Sequence, residues 1–185
     1  MMEQTPLQAL VVYESFFGNT RKIAHAVAEG LRLEGCSPTV EDVSSAVPTE
    51  AANYDLLVVG GPTHAFGLSR ESTRADAGRR GASVHLPGPG LREWIGCLPS
   101  SGPMLAAVFD TRAEKVRRIP LTAAHSAARM LKHLRYHLVV KPIGFLVEDT
   151  EGPLATGESE RAIAWGRTLG REAQLHLAAR KVDRA

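Results

Sequence analysis

Residues 55–60, Asp-Leu-Leu-Val-Val-Gly, are apolar without alternation. A strand reads this way when both of its faces are buried, as in a parallel sheet covered by helices on either side. Four other short runs have strand character: residues 10–13, 39–43, 104–109 and 139–147. Pro142 in the last marks an edge position or a break, because proline cannot donate to a ladder. Between these runs the apolar spacing turns helical. Ile23, Val27 and Leu31 recur after Thr20, with Ala26 and Gly30 beside them, and Gly35 and Pro38 close that helix. Residues 91–97 form a short helix after Pro89 and Gly90. Ala124, Ala127, Leu131 and Leu134 share one face of a helix over 122–134. Ala162, Gly166, Leu169, Ala173 and Leu177, flanked by Ile163 and Trp165, do the same over 158–179. The order β-α-β-(short α)-β-α-β-α-β-α predicts an α/β fold, a three-layer, doubly wound, five-stranded parallel sheet. At 185 residues, one domain is expected.

Composition excludes several function classes. The net charge of +2 comes from scattered basic residues mixed with acids, which is not the clustered basic face that nucleic acid needs. No apolar run approaches the ~20 residues of a membrane helix. The start, Met1 to Pro6, lacks the basic and apolar regions of a signal peptide, so a cytoplasmic location is expected. Cys36 and Cys97 have no CxxC spacing and read as two inert thiols. His133 and His137 stand four apart with no accompanying carboxylate, so no metal is expected. Trp94 and Trp165 lie in helices and read as core or interface. Nothing in the sequence sets the oligomeric state.

Ligands of open α/β sheets bind beyond the carboxyl ends of the strands. Three loops there carry candidate residues. After the first strand, Ser15, Phe16, Phe17, Gly18, Asn19 and Thr20 lead into a helix. Backbone N–H groups and the positive helix end converge on an anion in such a strand–loop–helix, and the polar side chains add donors. Phe16 and Phe17 are adjacent, so one is expected inward and the other towards the site. After the third strand comes Gly60-Gly61-Pro62-Thr63-His64-Ala65-Phe66-Gly67, and after the fourth Asp110-Thr111-Arg112. Arg112, Arg117 and Arg118 cluster, either as solvated surface or for a nucleotide phosphate or an acidic partner. Residues 69–89 form a long polar insertion with one short helix expected at 71–79, and 148–157 a turn-rich connection.

Together these loops resemble those of the flavodoxin family, over nearly the whole chain. Ser15, Gly18, Asn19 and Thr20 match its phosphate loop, with Phe17 similar to the aromatic of loops reading S-M-Y-G-N-T. Gly-Gly-Pro-Thr resembles its second flavin loop, and Asp110 falls where its third begins. The resemblance implies strand order 2-1-3-4-5 with FMN at the switch point, flavodoxin being itself a standard illustration of that rule. It also implies that Ser15 to Thr20 hold the phosphate. Pro62, Thr63, His64, Ala65, Phe66 and Gly67 would line one side of the ring, and Asp110, Thr111 and Arg112 the other. The usual stacking tryptophan and tyrosine are missing: the second loop offers only His64 and Phe66. Flavodoxins are also typically acidic, whereas this chain is slightly basic, so the same basic partners are not expected.

The function implied is an FMN-binding electron carrier serving a redox partner protein. Two alternatives stay open: an NAD(P)H-dependent FMN or quinone reductase of the same fold, and an interaction domain that has lost flavin. A response-regulator receiver has the same strand order but needs an aspartate at the end of the third strand, where Gly60 and Gly61 stand.

Overall fold

The computed structural model describes residues 5–63, 67–82, 88–100, 104–116, 118 and 120–182. Its strands are β1 (Gln8–Tyr13), β2 (Ser37–Asp42), β3 (Leu56–Pro62), β4 (Leu105–Ala113), β5 (His137–Leu138) and β6 (Ile143–Val147). The helices are α1 (Asn19–Leu33), α2 (Glu71–Arg79), α3 (Leu91–Gly96), α4 (Ala123–His133) and α5 (Glu158–Val182), with short 3-10 turns at Pro48–Asn53 and Glu114–Val116. All the strands pair in parallel in the order β2-β1-β3-β4-β5, and β6 also pairs with β4. The order 2-1-3-4-5 and the doubly wound sheet are therefore as expected.

Alternate residues of the central strands build two cores. Val11, Tyr13, Val58, Ala107 and Phe109 point to α1 and α5. Leu10, Val12, Leu57, Val59, Ala106 and Val108 point to α3 and α4. Both tryptophans are core. Trp165 stands edge-on to Phe109 and Phe145, with ring centroids 6.1 Å away in each case. Trp94 is buried and donates its Nε1–H to the Ala46 carbonyl at 2.9 Å. Gly60 is a glycine because the Phe109 ring lies where its Cβ would be.

Several boundaries differ from the sequence reading. The fifth strand is two segments. Between the partner pairs Ala106↔Leu138 and Phe109↔Ile143, β4 advances three residues and the neighbouring chain five. The two extra residues bulge out at 139–142, where Pro142 has no N–H for the ladder. The second strand starts at Ser37 and takes in Pro38, at the sheet edge. The fourth runs on to Ala113, so Asp110, Thr111 and Arg112 are strand residues paired with β6 rather than a loop. Polar residues did not end this strand because β6 supplies the ladder partners.

Cys36 is buried and Cys97 exposed, and both are free thiols. His137 packs against His176 of α5, ring centroids 4.7 Å apart, rather than against His133. Among the described residues no helix is long and apolar enough to cross a membrane, and no three His, Cys, Asp or Glu side chains are grouped to hold a metal.

Candidate functional site

Two of the helix N-termini at the carboxyl edge of the sheet, those of α1 and α4, are used differently. At α4 every early N–H has a protein acceptor. Ala123 donates to Thr63 Oγ1 (2.9 Å), Ala124 to Asp110 Oδ2 (3.2 Å), His125 to Thr122 Oγ1 (3.3 Å) and Ser126 to the Thr122 carbonyl (3.0 Å). The Asp110 carboxylate is the anion at that helix end, so the end is closed to any other. Asp110 is fully buried, and burial pushes its carboxyl up from the usual carboxylate range against the pull of Thr122, Arg112 and Ala124. Arg112 Nε approaches Asp110 Oδ1 to 3.4 Å, yet neither atom makes a hydrogen bond in this alignment. The Arg112 guanidinium occupies the space that a Cβ on Gly144 would fill.

At α1 the end is open. Gly18, the residue before the helix, has φ 84° and supplies a left-handed turn with free space around it. Its carbonyl accepts from Lys22 N (3.1 Å), and Ser15 Oγ accepts from Arg21 N (3.3 Å). The N–H groups of Phe17, Gly18, Asn19 and Thr20 have no acceptor among the described residues. A cleft of about 220 Å³ lies in front of them. Ser15, Phe16, Phe17, Asn19 and Thr20 form one wall, Pro62 and Thr63 another, and Thr111 and Arg112 a third. The open donor set at a helix end suits a phosphate.

The predicted site residues are placed as follows. Phe16 is buried and Phe17 half-buried, and both reach the cleft. Thr20 Oγ1 hydrogen-bonds Thr111 Oγ1 (2.8 Å), which fixes the first turn of α1 to β4. Asn19 Nδ2 donates to the Glu151 carbonyl (2.9 Å), so its amide anchors the 148–157 connection. Gly67 has φ 148° and packs against Ser126, away from the cleft wall. Asp110 does not reach the cleft. His64, Ala65 and Phe66 lie outside the described residues, as does Arg117.

Five lining residues were not foreseen: Ala113, Lys115 and Val116 beyond β4, Val147 at the end of β6, and Thr150. Reading Asp110 as the strand end hid the first three. Among the described residues the wall carries two cations, Arg112 and Lys115, and no carboxylate. Lys115 Nζ pairs outward with Asp149 at 2.7 Å.

Gly18 supplies a direct test of this geometry. Replacing it with alanine places a side chain in the left-handed region at a cost of roughly 1–2 kcal/mol. Urea unfolding of the Gly18→Ala variant should show that loss, and its anion affinity should fall with the turn.

The flavodoxin family profile matches residues 11–81. A flavodoxin of Aquifex aeolicus is 41% identical over 58 residues, 31% of each chain. An NAD(P)H dehydrogenase (quinone) of Acidovorax ebreus is 34% identical over 76 residues, 30% of this chain and 38% of that one. The matched stretches span only 17% to 38% of the first curated relatives. Across the fold, an archaeal flavodoxin superposes with a TM-score of 0.64 at 15% identity, covering 91% of this chain and 99% of its own. By the sheet order, the glycine-turned loop at the end of β1 and these matches, the chain has a flavodoxin-like fold and carries a match to the flavodoxin family over residues 11–81.

Proposed function

We propose that the protein binds FMN and passes electrons through it. The observation that carries this reading is the N-terminus of α1, whose N–H groups find no acceptor among the described residues and lie at a cleft with no carboxylate among them, while the neighbouring helix end is filled by Asp110. When bound, the flavin supplies one- and two-electron transfer. The chain's own residues bind and orient. The N–H groups of residues 17–20 and the Ser15 hydroxyl would hold the phosphate. Thr63 and Thr111 offer polar walls, and Phe17 an apolar face. The cleft, about 220 Å³, is below the ~300 Å³ at which pockets enclose a small molecule, so the ring would extend past its mouth. Residues 64–67 and the end of β4 are proposed to flank the ring there, with Asp110 acting through Arg112 and α4.

The second reading, an NAD(P)H-dependent flavin or quinone reductase, is favoured by the likeness to a quinone dehydrogenase and by Arg112 and Lys115 on the cleft wall. The visible spectrum of the purified protein, before and after adding FMN, tests the binding. Bands near the flavin's own maxima that co-purify or saturate on titration are expected; a protein that stays colourless and does not quench FMN fluorescence contradicts it. Anaerobic mixing of the loaded protein with NADPH separates the two readings: rapid bleaching marks the reductase, and no bleaching the carrier.

A further inference from the structure

We propose that Glu14 is a positioning residue that ties the phosphate loop to the segment carrying α2. Filling the α1 cradle and docking α2 are then linked events. Glu14 follows β1 directly and precedes Ser15, the first residue of the cradle. It is 4% exposed. Both of its carboxylate oxygens lie 2.7 Å from Ser69 Oγ, which donates to them. The Leu91 N–H also donates to it. Arg74 of α2 completes the contact, with Nη1 at 3.2 Å from both Ser69 Oγ and Glu93 Oε2. One carboxylate thus gathers the entry to α2, α2 itself and the start of α3.

Among the described residues little else holds α2. Its buried residues are Arg74 and Ala77 alone, so apolar burial contributes little and the polar contact decides whether it docks. The room for that contact is built in: a Cβ on Gly90 would stand 2.8 Å from Glu14 Oε1 and 2.9 Å from Ser69 Oγ. Ser69 lies two residues beyond Gly67, where the second loop ends. The carboxylate therefore sets the two loops of the proposed cofactor site against each other. Two sites biased by one element are coupled reciprocally, so an occupied cradle should hold α2 down and an undocked α2 should weaken the cradle.

Arg79 and Arg80 are exposed at the end of α2 and provide the reporter. Trypsin cleavage after either residue, located by mass spectrometry, follows the population in which α2 is undocked. In Glu14→Gln the rate should rise at least about tenfold, the scale of one charged hydrogen bond. Ser69→Ala should raise it in the same sense and carries the test if Glu14→Gln does not fold by circular dichroism. Rates within twofold of wild type in a folded variant overturn the latch. The coupling rests on the FMN reading and is measured separately. Saturating FMN should slow cleavage in wild type and have a weaker effect in the variants, whose FMN dissociation constants should rise about tenfold or more. Equal affinities overturn the coupling. FMN that fails to bind wild type overturns the proposed function and the coupling, while the FMN-free cleavage rates still decide the latch.

Discussion

Alanine at Gly166 is expected to lower stability by about 3 kcal/mol, at the upper end of overpacking effects. The helices α1 and α5 cross with backbone against backbone. A Cβ on Gly166 would strike the Val27 carbonyl oxygen and lie 3.1 Å from Gly30 Cα, and a Cβ on Gly30 would strike the Ile163 carbonyl and lie 2.9 Å from Gly166 Cα. No flexible side chain stands between them, so relief requires the helices to move apart. That movement would also loosen Ala162, Leu169 and Ala173, which are fully buried against α1 and the sheet. Gly30→Ala should cost a similar amount. The double variant should cost clearly less than the sum, because once the helices have separated for one methyl the second finds space. Urea midpoints with unchanged slopes measure all three. A loss below about 1 kcal/mol for both single variants, the lower end of overpacking effects, would show that the crossing is not close-packed.

The fold was legible where burial imposes a pattern. Residues 55–60 are apolar throughout because β3 lies between two layers, and 158–179 shows its stripe because α5 buries only one face. The site was legible where backbone geometry demands a residue type, as at Gly18. It was illegible where long-range partners decide. Asp110 reads as a strand end because aspartate is rare inside strands, yet β6 pairs with that stretch and α4 presents N–H groups to the carboxylate. Asn19 reads as a phosphate donor, and its partner, the Glu151 carbonyl, lies 132 residues away. Glu14 carried no sequence signal: a lone glutamate after a strand is ordinarily solvated, and the contacts that bury it come from Ser69 and Leu91, far along the chain.

These placements separate two roles that the sequence alone would merge. Polar residues at the carboxyl edge either receive a ligand or satisfy the protein. A hydroxyl or N–H left without a partner among the described residues belongs to the first class, as at residues 17–20. Thr63 spends its oxygen on capping α4, and Thr20 and Thr111 bond each other. The proposed phosphate grip is therefore mainly backbone, so the aromatic Phe17, which offers no side-chain donor, leaves the cradle in place.

Removing the Asp110 carboxylate should produce the other large effect, about 3 kcal/mol at neutral pH for Asp110→Ala. The variant leaves the Ala124 N–H and the Thr122 hydroxyl without their acceptor, and the Arg112 guanidinium, 15% exposed, without a counter-ion. The double variant Asp110→Leu/Arg112→Met, which removes both charges, should recover most of the loss, because replacing a buried pair by apolar groups is close to neutral. The pH dependence has a definite sign. Burial raises the folded-state pKa above the ordinary 3.8, so the folded protein binds the proton more tightly than the unfolded chain. The stability contributed by that proton is fully present below about 3.8 and is lost as pH rises through the raised value. The gap between wild type and Asp110→Ala should therefore widen as pH is lowered from neutral towards that ordinary value, the reverse of an ordinary salt-bridged aspartate. Comparing the two proteins isolates Asp110 from Glu14, whose carboxyl burial also raises. A gap that narrows on acidification would mean that the α4 N-terminus and Arg112 outweigh burial. Because Asp110 faces α4 and not the cleft, FMN affinity corrected for the folded fraction should change less in Asp110→Ala than in Gly18→Ala. A larger change would make Asp110 part of the cofactor site itself.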